Sequence, residues 1–480
     1  MAVTAIALNR FGLGARSADP LPSDPKAWLL GQFERFEPKP AALASVPARS
    51  EIVGQLGDYI AEQRMAGRAK RQMQPAAMPA GDKPQGDGIP DSAKRFLRRG
   101  IRDDYLVMTS ARLSSALTTT TPFVERLVHF WANHFAISAD KLKVIPLAGL
   151  LEFEAIRPHV LGKFSDMLLA VEQHPAMLVY LDQAQSIGPD SRAGQFVAAR
   201  GQQKRGLNEN LAREILELHT LGVRTGYSQA DVTEFARALT GWTVSGLARG
   251  PAARMLGGGQ TGDFAFAELI HQPGDRQIMG RRYSQDGQRQ AHAILMDLAA
   301  NPATAKHLST KLARHFAGDD PPPAMVERLT QAYLKSGGDL PTVYRAILAS
   351  PEAWAPQPLK FKTPWDWSVS ALRAFNQDAL DPTLAGTLMN QLGQPVWKPG
   401  SPAGFDDIAA SWAAPEALVR RVEVAQRLAE RVSSSVDPRV LADKVLPGAL
   451  GEPTRTAIAR AESPAEGLAL LLVSPEFVRR

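Results

Sequence analysis

One helix-start signal recurs along this chain and constrains its fold more than any other feature: a short polar residue followed at once by proline. Asp24-Pro25, Asn301-Pro302, Ser350-Pro351 and Ser474-Pro475 carry it, and His174-Pro175 is a variant. The polar side chain can accept from the free amides of a first helical turn. Proline suits the first helical position because its φ is already helical and its missing N–H would have had no partner. Between these signals apolar residues return at helical spacing, so the expected fold is mainly α, a multi-helical body. One stretch breaks the mode. DFAFAELIHQPGDRQIMGRRYS alternates through Phe264 and Phe266 and turns at Pro273-Gly274-Asp275, which predicts one small β-hairpin near 264–283.

At 480 residues the chain exceeds what one core usually carries. The expected organisation is an N-terminal helical segment at 1–71, a mobile linker at 72–92, a central helical core at 93–260, a hairpin insert at 261–290 and a C-terminal helical region at 291–480. The linker reading rests on QMQPAAMPAGDKPQGDGIPDS, whose composition buries too little apolar surface to offset the entropy of ordering it. A net charge of +6 spread over this length is a weak field and argues against nucleic acid as a partner. The absence of cysteine excludes disulfides, thiolate catalysis, iron–sulfur clusters and cysteine zinc sites. No apolar run reaches the length of a membrane span, and the N-terminus lacks a basic flank and an apolar h-region, so a soluble, cytoplasmic protein is expected.

The densest charge lies in NENLAREILELHTLGVRTGYSQADVTEFARALTGW, residues 208–242. Leu211, Ile215, Leu218 and either Leu216 or Leu221 form a helical apolar stripe. Glu209, Arg213 and Glu217 follow at spacings of four, which lets the arginine meet a carboxylate above or below; Asn210, Glu214 and Glu217 share the adjoining face. His219 lies in the last turn before Gly222, which can close the helix in the left-handed conformation. Ser228 with Asp231 three residues on reads as a carboxylate capping box opening a second helix, along which Asp231, Glu234 and Arg237 step by threes. Two short helices across a tight turn can bring both charged faces to one place. Acid–base chemistry or a divalent metal would require such groups; interlocking ion pairs that hold the helices together would use the same ones.

Further histidines widen the choice. In ERLVHFWANHF, Glu125, His129 and Asn133 share one face and His134 lies on another. His129 and His134 are five apart, roughly 140° around a helix, so a regular helix cannot aim both at one ion. His129, His134 and His219 are the candidate metal ligands. Arg213, Glu214, Glu217, His219, Asp231, Glu234 and Arg237 are the candidate catalytic residues. His307, Lys311 and His315 share a face of a later helix.

RFGLG at 10–14, ERLVHFWANHF at 125–135, HPAMLVYLD at 174–182, NENLAREILELHTLGV at 208–223, DVTEFARALTGWT at 231–243, HQPGDRQIMG at 271–280, NPATAKHLSTKLARHFAGDDPP at 301–322 and KFKTPWDW at 360–367 together resemble the bacterial family catalogued as domain of unknown function 1800, in the family's order and over nearly the whole chain. The resemblance transfers no catalytic residue. It implies a possible partner, since members are often encoded beside sulfatase-like proteins of the domain-of-unknown-function family 1501, and many members carry export signals. The expected function is an enzyme using the His/Glu/Asp cluster for metal-assisted or acid–base hydrolysis, with a divalent metal as the possible cofactor. The alternative is a helical interaction or escort protein for the co-encoded sulfatase-like partner, its charged cluster purely structural.

Overall fold

The computed structural model describes residues 2–72, 96, 103–199, 206–249, 253 and 258–480. All but the first residue of the expected linker at 72–92 lies outside these. The fold is mainly α-helical, with two small two-stranded antiparallel sheets among the described residues. The start signals act as their chemistry suggests. Asp24 accepts from the amides of Lys26 and Ala27, Asn301 from Ala303, and the His174 ring from Ala176. Ser474 Oγ accepts from the Phe477 amide, but only a turn follows it, not a helix. Ser350 departs: its hydroxyl donates back to the Ala346 carbonyl, and the short 3-10 turn Pro351–Trp354 begins without a side-chain cap.

Two small sheets stand where one hairpin was expected. Strands β3 (Arg276–Ile278) and β4 (Arg281–Tyr283) form that hairpin, reversing at Met279 and Gly280 with φ of 47° and 78°. A two-residue hairpin turn needs positive φ there, which glycine adopts freely and methionine does not. Phe264–Phe266 (β2) instead pairs back with Trp242–Val244 (β1), so Pro273-Gly274-Asp275 is a connector between the sheets.

A single cluster of buried apolar residues runs from Ile6 to Val478. Its middle is an aromatic contact of three distant segments: Phe11 lies 5.8 Å from Phe123 and 5.6 Å from Phe316 between ring centroids. The N-terminal segment, the helix Pro122–His134 and the helix Pro302–Ala317 are thereby fixed against one another. Arg10 adds polar ties, donating to the carbonyls of Ala353, Ala355 and Gln357 at 2.7–2.8 Å. Among the described residues no helix is long and apolar enough to cross a membrane.

Candidate functional site

In the charge-rich stretch the first helix is Asn210–Glu214 continued by a π-helical turn, Ile215–His219. Leu211, Ile215 and His219 follow at spacings of four, so the imidazole shares the buried face with the two aliphatic residues. Gly222 ends the segment at φ +93°, and a Cβ there would stand 2.9 Å from His307 Nδ1. Glycine is required twice over. The second helix, Gln229–Leu239, opens with the expected capping box between Ser228 and Asp231.

The two charged faces do converge, and the point of convergence is Glu209. Its carboxylate accepts from Thr233 at 2.7 Å, Gln229 at 2.8 Å and Arg213 at 3.3 Å. Asp231 accepts from Ser228 and, through its other oxygen, from the Met279 amide at 2.6 Å, which ties the second helix to the β3–β4 turn. Glu234 pairs with Arg237 and lies 3.6 Å from Arg276. Arg213, Asp231 and Glu234 are thus engaged in joining the two helices and the hairpin, while Arg237 pairs with Glu234 inside its own helix.

His219 and His134 come together deeper in the molecule. His219 Nδ1 lies 2.7 Å from Glu172 Oε1, both side chains being buried. The His219 carbonyl is 3.1 Å from His134 Nε2. A carbonyl can only accept, so His134 carries its hydrogen on Nε2, and the bare Nδ1 accepts from Lys311 Nζ at 3.0 Å. Burial first, then the charge of Lys311, pushes the His134 pKa well below the ordinary histidine value and keeps the ring neutral. Glu214 is half-buried near His219 and Glu217; burial raises its pKa.

Beside His129 and His134 lies a cavity of about 310 Å³, bounded by Pro122–His134, Pro302–Ala317, the start of Pro364–Ala374 and residues 394–408. Its size is at the lower end for small-molecule pockets. Glu214, Glu217, His219, Asp231 and Glu234 are not among its lining residues. His129 Nδ1 accepts from Trp365 Nε1 at 3.2 Å, and since an indole only donates, the neutral ring carries its hydrogen on Nε2. Nε2 has no hydrogen-bond partner, the nearest carboxylate oxygen, Glu125 Oε1, being 3.6 Å away and already taken by Arg157. Burial and the cations Arg112 and Arg157 hold the His129 pKa well below its usual range. His129 therefore has neighbours of its own, while His134 and His219, 6.3 Å apart between ring centroids, meet through a carbonyl and not through two ring nitrogens. Among the described residues no three His, Asp or Glu side chains group as a metal site would require.

Most charges around the cavity are paired. Arg126 Nη1 donates to both Asp366 oxygens at 3.0 Å, and Asp407 lies 2.8 Å from His315 and 3.1 Å from Lys360. Lys311 and Arg314 have no carboxylate within ion-pair distance among the described residues: Lys311 meets His134, and Arg314 Nε meets the Asp319 carbonyl at 3.2 Å. Burial lowers the Lys311 pKa to about 8, with Asp407 opposing the shift and Arg314 reinforcing it. Arg112 is clamped, its Nε on both oxygens of Glu152 and its guanidinium carbon 4.2 Å from the Trp365 ring centroid and 5.5 Å from that of Trp397.

Sequence reasoning passed over Arg112, Glu152, Arg314, Trp365 and Trp397 as site residues. No local pattern marks them, because the cavity is assembled from segments hundreds of residues apart. The nearest signals were the shared face of Lys311 with two histidines and the Trp/Pro/Gly-rich loop that contains Trp397. Neither the curated proteins nor the solved structures contain a match to this chain. A family model does match, covering residues 6–479, and the chain accordingly belongs to the family described as protein of unknown function (DUF1800).

Proposed function

We propose that the chain is an enzyme performing acid–base hydrolysis in the cavity beside His129 and His134, with Lys311 as the proton-transfer group. The observation that carries this reading is an amine on the cavity wall with no ion-paired carboxylate among the described residues, oriented by a histidine whose tautomer is fixed. In its amine form Lys311 takes a proton from an attacking water and returns it to the leaving group. A pKa of about 8 suits both steps near neutral pH. His219 is a positioning residue: its carbonyl sets the His134 tautomer, and its own ring is held by Glu172.

Turnover of a panel of small activated esters and amides by the purified chain tests this. The rate is expected to rise with pH through about 8 and to fall roughly 100-fold or more in Lys311→Met. Turnover that survives Lys311→Met overturns the assignment. The alternative, an escort for a sulfatase-like partner, draws support from the engagement of Arg213, Asp231 and Glu234 in holding the helices and the hairpin together. An escort would keep its partner in Lys311→Met.

A further inference from the structure

We infer that Arg112 and Arg314, which both line this cavity, form an oxyanion subsite there, taking a carboxylate, phosphate or sulfate group carried on a flat apolar body. The inference rests on the cavity being the site proposed above, and it adds the class of ligand. Its first support is how the cations pair around a cavity that Glu152, Asp366, Asp406 and Asp407 also line. Arg126, Lys360 and His315 each have an acid at 2.8–3.1 Å, whereas Lys311 and Arg314, one helical turn apart, have none among the described residues. Two like charges placed side by side on a partly buried wall are unfavourable until an anion joins them.

Arg112 supplies the second support. Its Nε is spent on Glu152, which also accepts from Trp397 Nε1 at 2.8 Å, so the guanidinium plane is fixed between two indoles. Its two Nη atoms have no hydrogen-bond partner among the described residues, and the residue lines the cavity. A planar fork held in place before binding loses little side-chain entropy when it meets two oxygens of one group. Phe130, Phe135, Trp397 and Phe405 line the same cavity and give a flat apolar body somewhere to lie.

Calorimetric titration of the full chain at low salt with benzoate, phenyl phosphate, phenyl sulfate and inorganic phosphate tests the inference, with benzamide as the neutral control. At least one anion should bind while benzamide does not, and the ranking of the three phenyl anions tells carboxylate, phosphate and sulfate apart. Arg314→Gln, which removes only a charge and one carbonyl contact, should weaken binding about tenfold or more. Arg112→Lys, which keeps the charge but loses the fork, should also weaken it. Because Arg112 neutralises buried Glu152, Arg314→Gln decides the matter should the Arg112 variant unfold. Anion binding without turnover of any ester sinks the enzyme reading and upholds the subsite. Turnover of neutral esters with no anion binding, equal affinity for benzamide, or an Arg314→Gln protein that binds anions as tightly as the parent overturns the subsite.

Discussion

Asp366 shows how much a single buried carboxylate carries in this molecule. It receives Arg126 through both oxygens and lies 3.0 Å from Arg480 Nε, and it is held ionised well below the usual carboxylate range by those two arginines against the opposing effect of burial. Asp366→Asn leaves two buried guanidinium groups without their counter-charge and should cost roughly 3–5 kcal/mol in urea unfolding. A cost under about 1 kcal/mol would show that the arginines find other acceptors. Lys362 is the opposite case. Fully buried, its amine meets Asn9 Oδ1 at 3.4 Å and the Phe477 ring, and burial, opposed by Asp366, lowers its pKa to about 7. The unfolded lysine holds its proton up to about pH 10.4, so between the two values the unfolded chain binds a proton that the folded chain does not, and stability rises with pH across that window. Lys362→Met should flatten that slope and raise the unfolding midpoint at pH 6. An unchanged slope would mean that Lys362 stays charged inside.

At the scale of elements, the helix pair Asn210–His219 and Gln229–Leu239 was legible in the sequence because its determinants are local. Ser228 and Asp231 form their box, and Gly222 takes the positive φ. Ser228→Ala should cost about 1 kcal/mol of stability. Asp231→Ala should cost more, since it also strips the Met279 amide of its acceptor; equal losses would mean that the hairpin turn does not depend on the helix. What the local signals could not tell was where the charged faces point. The spacing puts Arg213 on Glu209, but its second contact is Gln229 from the neighbouring helix and not Glu217. His219 took its place by tertiary packing: a histidine four residues after a buried isoleucine is buried if that face meets the core, and only the fold says that it does. The hairpin followed the same rule. Alternation marked Phe264 and Phe266 as strand, while the choice of Trp242–Val244 as their partner was non-local.

Over the whole molecule, the titratable groups around the core are set in ways that make it sensitive to acid. Burial lowers the pKa values of His307 and His315 to about 4 and those of His129, His134, His174 and His271 below the ordinary histidine value. An unfolded histidine takes its proton near pH 6.5; these folded ones refuse it until lower pH. The unfolded chain therefore binds more protons in that window, and stability should fall as pH drops from about 6.5 towards 4, then fall further as Asp366 and Asp407, both depressed when folded, are protonated. A urea midpoint that stays level from pH 7 to 4 would contradict the burial of these rings. The mainly helical body was legible from caps, prolines and periodicity. The cavity was not, since Arg112, Lys311, Trp365 and Asp407 reach it from four separate stretches of chain.

The central claim is that Lys311 is a poised amine on that cavity, with no ion-paired carboxylate among the described residues, and the titration of its own amine tests it most directly. In protein whose lysines carry ¹³C-methyl labels, with the Lys311 signal assigned by its absence from Lys311→Met, the account predicts a midpoint near 8. A midpoint near 10.4, the value of a free lysine in water, would contradict it.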